Sequence, residues 1–396
     1  MSSESDNHQA ATPTAPAAPT APAAPAAQPS RKEYNTRLLW PDMIKTPNNT
    51  WTFSCKEIVE KLGTNPQATA ELKRNMEKCL IYFYTVKKVL NLFDHTYTAS
   101  CMLFFRYWYV YGLPPYLPDC IHIAQAILVT ACKTMENNRP IDAYIKATCD
   151  YFIKETTGLR VRQNLDKLKW DVRDRLVSNE KKILCCFGFD LNLENPKELI
   201  EDMFSGFYRF NRDYNLPDDF TQIFPKILQE ARNFIVQAVT QPVSLLCDGY
   251  TFVALALIYC GLQYKKNVDE SFQFPSNFFR DKFPVLVTAQ RFGQFFNDYR
   301  VLEENFFDLK SNKREKLQIS VQEIDELINE DPLPDGEVSD PYDYNLIKSG
   351  EVRQELKDHI HKRIRDIYER TVAETKKRMS PENVADLEQS KKKLKT

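Results

Sequence analysis

The sequence predicts an all-α protein built from two successive five-helix units, and three observations carry that prediction. Apolar residues recur at helical spacing over most of residues 68–310. Glycine is scarce, at 10 of 396 residues. Sandwiches and phosphate-cradling α/β folds need positive-φ turns and close backbone approach, so they fit poorly. The helical pattern runs for five segments, breaks at Gly188-Phe189-Asp190-Leu191, and runs for five more, each series spanning about 100 residues.

In the first series, a helix over 69–92 places Leu72, Met76, Leu80, Phe83, Val86 and Leu90 on one face. The second, Thr96 to Tyr111, is apolar almost all round with one charge, Arg106, the pattern of a central helix. Pro114, Pro115 and Pro118 end it and open the next. The third, Asp119 to Glu136, carries Ile123, Ile127, Thr130 and Met135 near one face. Its Ala124, Ala126 and Ala131 permit close packing. Pro140 opens the fourth, to about Lys154. Residues 155–165 read as a loop. The fifth runs from about Asp166 to Phe187, with Leu168, Val172, Leu176 and Ile183 as its stripe. The second series fits helices over 197–212, 220–239, 242–264, 274–283 and 288–307.

These units are bounded as 68–192 and 193–310, and extensions flank them. Residues 8–29 are nearly all Ala, Pro and Thr and offer no large side chain to offset the entropy of ordering, so 1–35 reads as a disordered tail. Residues 36–67 read as a strap and short helix docked through Leu38, Leu39, Trp40, Trp51 and Phe53. Residues 311–349 are acidic and loop-like. Residues 350–396 read as a charged helix, striped by Val352, Leu356, Ile360, Ile364, Ile367 and Val372, and then a basic tail. Lys391, Lys392, Lys393 and Lys395 form a candidate nuclear localisation patch.

Residue supply excludes most chemistries. With 53 basic and 54 acidic residues, the net charge of −1 does not suggest a duplex-binding domain. The 10 cysteines are scattered without a CxxC pair, so they read as small core residues rather than metal ligands. The chain opens on a polar stretch rather than a signal peptide, which points to a reducing compartment, cytosol or nucleus. The longest apolar stretch, Pro242 to Leu262, is interrupted by Asp248, leaving about 14 residues, a core helix rather than a membrane span. Of 5 histidines, His8, His359 and His361 lie in the extensions, and His95 and His122 fall near loops outside any nucleophile motif. No Walker A, GxGxxG or kinase signature is present. Cys185 and Cys186 sit beside Lys181 and Lys182, but Cys186 falls on the apolar stripe with Ile183 and Phe187. No catalytic residue, cofactor or metal is expected.

Two charges stand out in the first unit. Lys133 ends the third helix after a run of small and apolar residues, where a cation is favoured by the helix dipole. Glu180 lies in the fifth helix just before the break. They are either two surface charges or a pair at the seam of two packed helices, aimed at a partner's backbone.

The segments ILVTACKTMEN and NEKKILCCFGFDL, which hold these residues, resemble the signature of a cyclin box. WPDMI, TYTAS, ACKTMENNRPIDAYIKAT, NPKELIE and QAVTQPVSLLCDGYTF extend the likeness over about 38–350, and it is to transcriptional cyclins of the T and K type. The resemblance implies a cyclin fold of two tandem boxes and a heterodimer with a cyclin-dependent protein kinase. It implies that Lys133 and Glu180 hydrogen-bond the backbone around the kinase's helix C, and that Leu184, Phe189 and Leu191 pack on that helix. It implies indirect action on RNA polymerase II repeats and elongation factors, in the nucleus, with no direct nucleic-acid or membrane contact. Thr134 stands where cell-cycle cyclins often carry an aromatic residue. LKRNMEKCL lacks their Met-Arg-X-X-Leu substrate-docking patch, which puts recruitment through that groove in doubt. Two rival readings stay open: a nucleic-acid-binding protein of this fold, like the core of a TFIIB-type factor, and a helical scaffold.

Overall fold

The computed structural model describes residues 51–155, 165–204, 216–306 and 319–331, with Lys362, Arg365, Glu369 and Ala373 as isolated helical positions further on. All belong to one structural unit, Asn48–Thr396. The described residues form twelve α-helices and one short 3₁₀ turn, and no strand. The predicted all-α class is what the chain adopts.

A short helix, α1 (Cys55–Glu60), precedes the first five-helix unit and is closed by a capping box between Ser54 and Glu57. The unit comprises α2 (Pro66–Leu90), α3 (Asp94–Tyr111), α4 (Leu117–Thr134), α5 (Ile141–Glu155) and α6 (Leu165–Cys186). Asn65 caps α2 by accepting from the Gln67 and Ala68 amides, and Pro66 supplies the first helical position. Asn91, in the left-handed region at φ 50°, stops it.

Helix α3 shows why its sequence is apolar all round. Every residue from Thr96 to Val110 is buried. It packs on α2 and α4 on one side and on the second unit on the other, against α7 (Pro196–Phe204), α8 (Asp218–Ala238) and the 3₁₀ turn Pro242–Leu245. A helix enclosed on every side has no face to leave polar.

The second unit repeats the plan. Helix α9 (Gly249–Asn267) takes the central place, enclosed by α7, α8, α11 (Ala289–Asn305) and α12 (Val321–Ile328). Helix α10 (Phe278–Lys282) is one short turn inside the span 274–283. The stretch expected as one helix over 242–264 is broken in two. Asp248 is the N-cap of α9 and accepts from the Thr251 amide at 2.8 Å and hydroxyl at 2.6 Å. The charge that interrupts the apolar run is the charge that starts the helix.

The span expected as an acidic loop, 311–349, holds a helix. Ser320 and Glu323 form a capping box, and Ile324, Leu327 and Ile328 are buried against α9 and α11. The Phe274 amide donates to the Leu327 carbonyl at 2.9 Å, so this segment is stitched to the second unit. At the other end, the Phe53 amide donates to the Leu245 carbonyl at 2.7 Å, and the Phe53 ring meets Tyr109 at 4.1 Å. Residues 51–53 therefore dock across both units. The apolar stripe of 350–379 and the basic run 391–395 lie outside the described residues.

Candidate partner-binding site

Helix α4 packs along α6, and each carries one residue of the candidate pair near its C-terminal end. The Lys133 ammonium donates to the Glu180 carboxylate, closing a contact between residues 47 positions apart. The Lys133 side chain remains 56% exposed and that of Glu180 20%. At that exposure the ion pair adds little to the free fold, about 0–1 kcal/mol. Breaking the pair leaves the Lys133 ammonium in solvent, whereas the Glu180 carboxylate, only 20% exposed, still needs a donor.

The two helices end in the same way. After α4, the Asn137 amide donates to Cys132 at 2.8 Å and Glu136 to Lys133 at 3.3 Å, with Glu136 at φ 50°. After α6, the Phe189 amide donates to Leu184 and the Gly188 amide to Cys185, each at 2.9 Å. These are Schellman turns, which satisfy the last carbonyls through a left-handed residue. Gly188, at φ 55°, meets that need without strain. Phe189 then adopts φ 60°, a conformation that costs a bulky residue on the order of 1 kcal/mol, yet the residue is 46% exposed. The aromatic side chain is thus held outward at some conformational cost.

The Lys133 end is anchored from behind. Asn137 is buried and donates to the Thr96 hydroxyl at 2.9 Å. Arg139 donates to the Asn137 side-chain oxygen at 3.0 Å and to the carbonyls of Leu90 and Asn91 at 3.1 and 2.9 Å. This latch ties the end of α4 to the end of α2. Neither residue stands out in the sequence. Their signal is an Asn-Asn-Arg-Pro run directly after a helix end, a capping composition.

Of the apolar site residues, Leu184 is half-buried one turn beyond Glu180. Leu191 is half-buried, with part of its surface on the core. Only Phe189 is strongly presented to solvent.

The other sequence candidates have structural places. His95 lies at the start of α3 with its ring 5.3 Å from Phe93, and its carbonyl accepts from Asn195 at 2.8 Å. His122, expected near a loop, is inside α4 and buried, with its ring 5.1 Å from Phe152. Burial pushes its pKa down, and Arg175 adds to that. Cys186 is buried and its thiol is pushed up to about 11 by that burial, the opposite of a reactive thiolate. Cys185 is only partly buried. Among the described residues, no group of three or more His, Cys, Asp or Glu is placed to hold a metal, and no helix is long and apolar enough to cross a membrane.

Comparison with known proteins adds a second line. The N-terminal domain of the BUR-2 family matches residues 54–186, and the C-terminal domain of that family matches 195–331. The BUR-2 protein of Saccharomyces cerevisiae is 60% identical over 369 residues, covering 92% of this chain and 93% of its own. The BUR-2 protein of Kluyveromyces lactis is 56% identical over 345 residues, covering 86% and 87%. Among solved structures, a chain of the yeast RNA Pol II CTD kinase CTDK-1 complex is similar, at 15% identity and a TM-score of 0.45, covering 76% of this chain and 92% of that one. The two matched domains meet in the segment 187–194, just beyond Cys186, where the structure turns from its first five helices into its second. The chain belongs to the BUR-2 family.

Proposed function

We propose that this chain is a non-catalytic cyclin subunit, that of the BUR kinase complex. In this reading it binds and activates a cyclin-dependent protein kinase acting in transcription elongation, in the nucleus. The kinase would phosphorylate the RNA polymerase II repeats and elongation factors; this chain would touch neither nucleic acid nor those substrates to do its part. The observation that carries the reading is the pairing of Lys133 and Glu180 across two packed helices, α4 and α6, the second of which runs on into the exposed Phe189.

The mechanism follows from what a kinase needs. Its strand lysine must pair with the glutamate of its helix C, and its metal-binding aspartate must be in place. A rigid face that binds the active placement of helix C more tightly shifts the population toward it by that difference in affinity. Leu184, Phe189 and Leu191 would supply apolar contact, and an aromatic anchor contributes most where it is fully desolvated. Lys133 donates and Glu180 accepts, so together they read the polarity of a backbone and set register. Once covered by a partner, losing one of them should cost about 2–5 kcal/mol, partly by stranding the other.

The test is a pull-down from nuclear extract with wild type beside the Lys133→Glu/Glu180→Lys double variant, followed by a kinase assay. Wild type should retain a kinase and its activity, and the folded double variant should lose both. Equal retention by the two proteins, or no kinase with either, would end this reading and favour a scaffold.

A further inference from the structure

We propose that Trp51 and Arg106 are positioning residues that brace the turn 187–191 from behind and so hold Phe189 in its binding orientation. The inference rests on the kinase-binding reading above for its consequence and on internal geometry for its cause.

Arg106 is the one charged side chain within the buried run of α3, and it is itself only 7% exposed. A cation in such a place is costly unless it is matched by partners. Its Nη1 donates to the Asn192 carbonyl at 3.2 Å, just past the turn. Its guanidinium lies 4.8 Å from the centroid of the Trp51 ring, within cation–π range. Asp190 and Glu194 favour its charge, so although burial lowers its pKa to about 10, it stays protonated at neutral pH.

Trp51 completes the brace. Its ring meets Phe187 edge to face, at 6.3 Å and 75° between planes. Phe187 is the buried residue that starts the turn, and its carbonyl accepts from the Asp190 amide at 2.9 Å. Trp51 is fixed in turn by the Phe53 hydrogen bond to Leu245 in the second unit. From the same helix as Arg106, the Tyr111 hydroxyl donates to the Cys186 carbonyl at 3.0 Å. The turn therefore bears on its outer side a strained, exposed Phe189 and on its inner side an Arg–Trp stack contributed by two distant segments. Residues 51–53 become a means by which the segment before α1 controls the partner surface.

The test uses the full chain. In Trp51→Ala, amide hydrogen exchange at Gly188, Phe189 and Asp190 should speed up by about tenfold or more, while amides of the α4 core keep wild-type protection. Kinase affinity should fall by about tenfold with Lys133 and Glu180 intact. Trp51→Phe, which keeps a ring over Arg106, should recover most of both. Arg106→Met should repeat the alanine result if it folds; if it does not, the two Trp51 variants decide. Unchanged exchange at the turn in Trp51→Ala would overturn the brace, whatever the kinase does. A loosened turn with unchanged kinase affinity would overturn the positioning role. If wild type itself binds no kinase, the functional reading fails first, and exchange at the turn still decides the brace.

Discussion

Lys133 and Glu180 bond to each other across the seam of α4 and α6, although 47 residues separate them in the chain. Because Lys133 is more than half exposed, the contact is cheap to break in the free protein. That separates stability from binding. Lys133→Glu alone places two carboxylates together and should cost about 1 kcal/mol or less in urea unfolding. The exchanged pair Lys133→Glu/Glu180→Lys should recover that loss, because the internal ion pair is restored with its ends reversed. Kinase affinity, measured by calorimetry, should fall in the single variant and stay low in the exchanged pair, since donor and acceptor now face the wrong groups. Recovery of affinity along with stability would show that the pair is only a structural tie.

Phe189 allows the opposite separation. Its φ of 60° suits glycine, and its ring has little core to lose. Phe189→Gly should therefore leave the melting temperature no lower than wild type, as relief of strain offsets the freer unfolded chain. The same change should weaken kinase binding by about tenfold or more, the loss typical of an aromatic anchor. A variant with a lowered melting temperature and full affinity would mean that the ring packs inward and is not a contact.

Much of this is legible in the sequence. Lys133, Glu180 and the helices that hold them follow from periodicity and from the cyclin-box likeness. Helix α3 is legible as central because an all-round apolar helix has no solvent face. The features that stay hidden have physical reasons. Helix α12 hides because its apolar residues, Ile324, Leu327 and Ile328, are set among Glu323, Asp325 and Glu326, and composition over a long window outweighs one short stripe. Asp248 reads as an interruption, although a polar residue before an apolar run is also the mark of an N-cap. Arg106 is visible as a lone charge, but its partners Trp51 and Asn192 come from remote segments that no local pattern links.

His122 gives the fold a pH dependence with a definite sign. Burial disfavours its charged form, Arg175 acts in the same direction, and Asp171 and Asp119 oppose. Its folded pKa is therefore below the ordinary histidine value. As pH falls, the unfolded chain takes up this proton first, so stability is lost from about pH 6.5 downward until the folded pKa is passed. His122→Gln, uncharged throughout, should lose less stability between about pH 7.5 and 5.5 than wild type does, read as the shift in urea midpoint. Parallel losses in the two proteins would place the acid sensitivity elsewhere.

The docking of α12 on the second unit can be probed through two glycines. A Cβ at Gly261 would meet Phe274 Cε2 at 2.8 Å and Leu327 Cδ2 at 3.2 Å. A Cβ at Gly293 would meet Val321 Cγ2 at 2.8 Å. The two obstacles differ in how far they can yield. Phe274 is buried and packed against the rings of Phe272, Phe278 and Phe279, so it cannot move without disturbing them. Val321 is 43% exposed and can turn away. Alanine also favours a helix over glycine by about 1 kcal/mol, which works against both clashes. Gly261→Ala should therefore destabilise, by about 1–3 kcal/mol of overpacking less that gain, while Gly293→Ala should be near neutral. Amide hydrogen exchange in α12 should speed up in Gly261→Ala, as the shifted Phe274 and Leu327 loosen its seat. If Gly261→Ala is as stable as wild type and α12 as well protected, Phe274 and Leu327 do not press on this position.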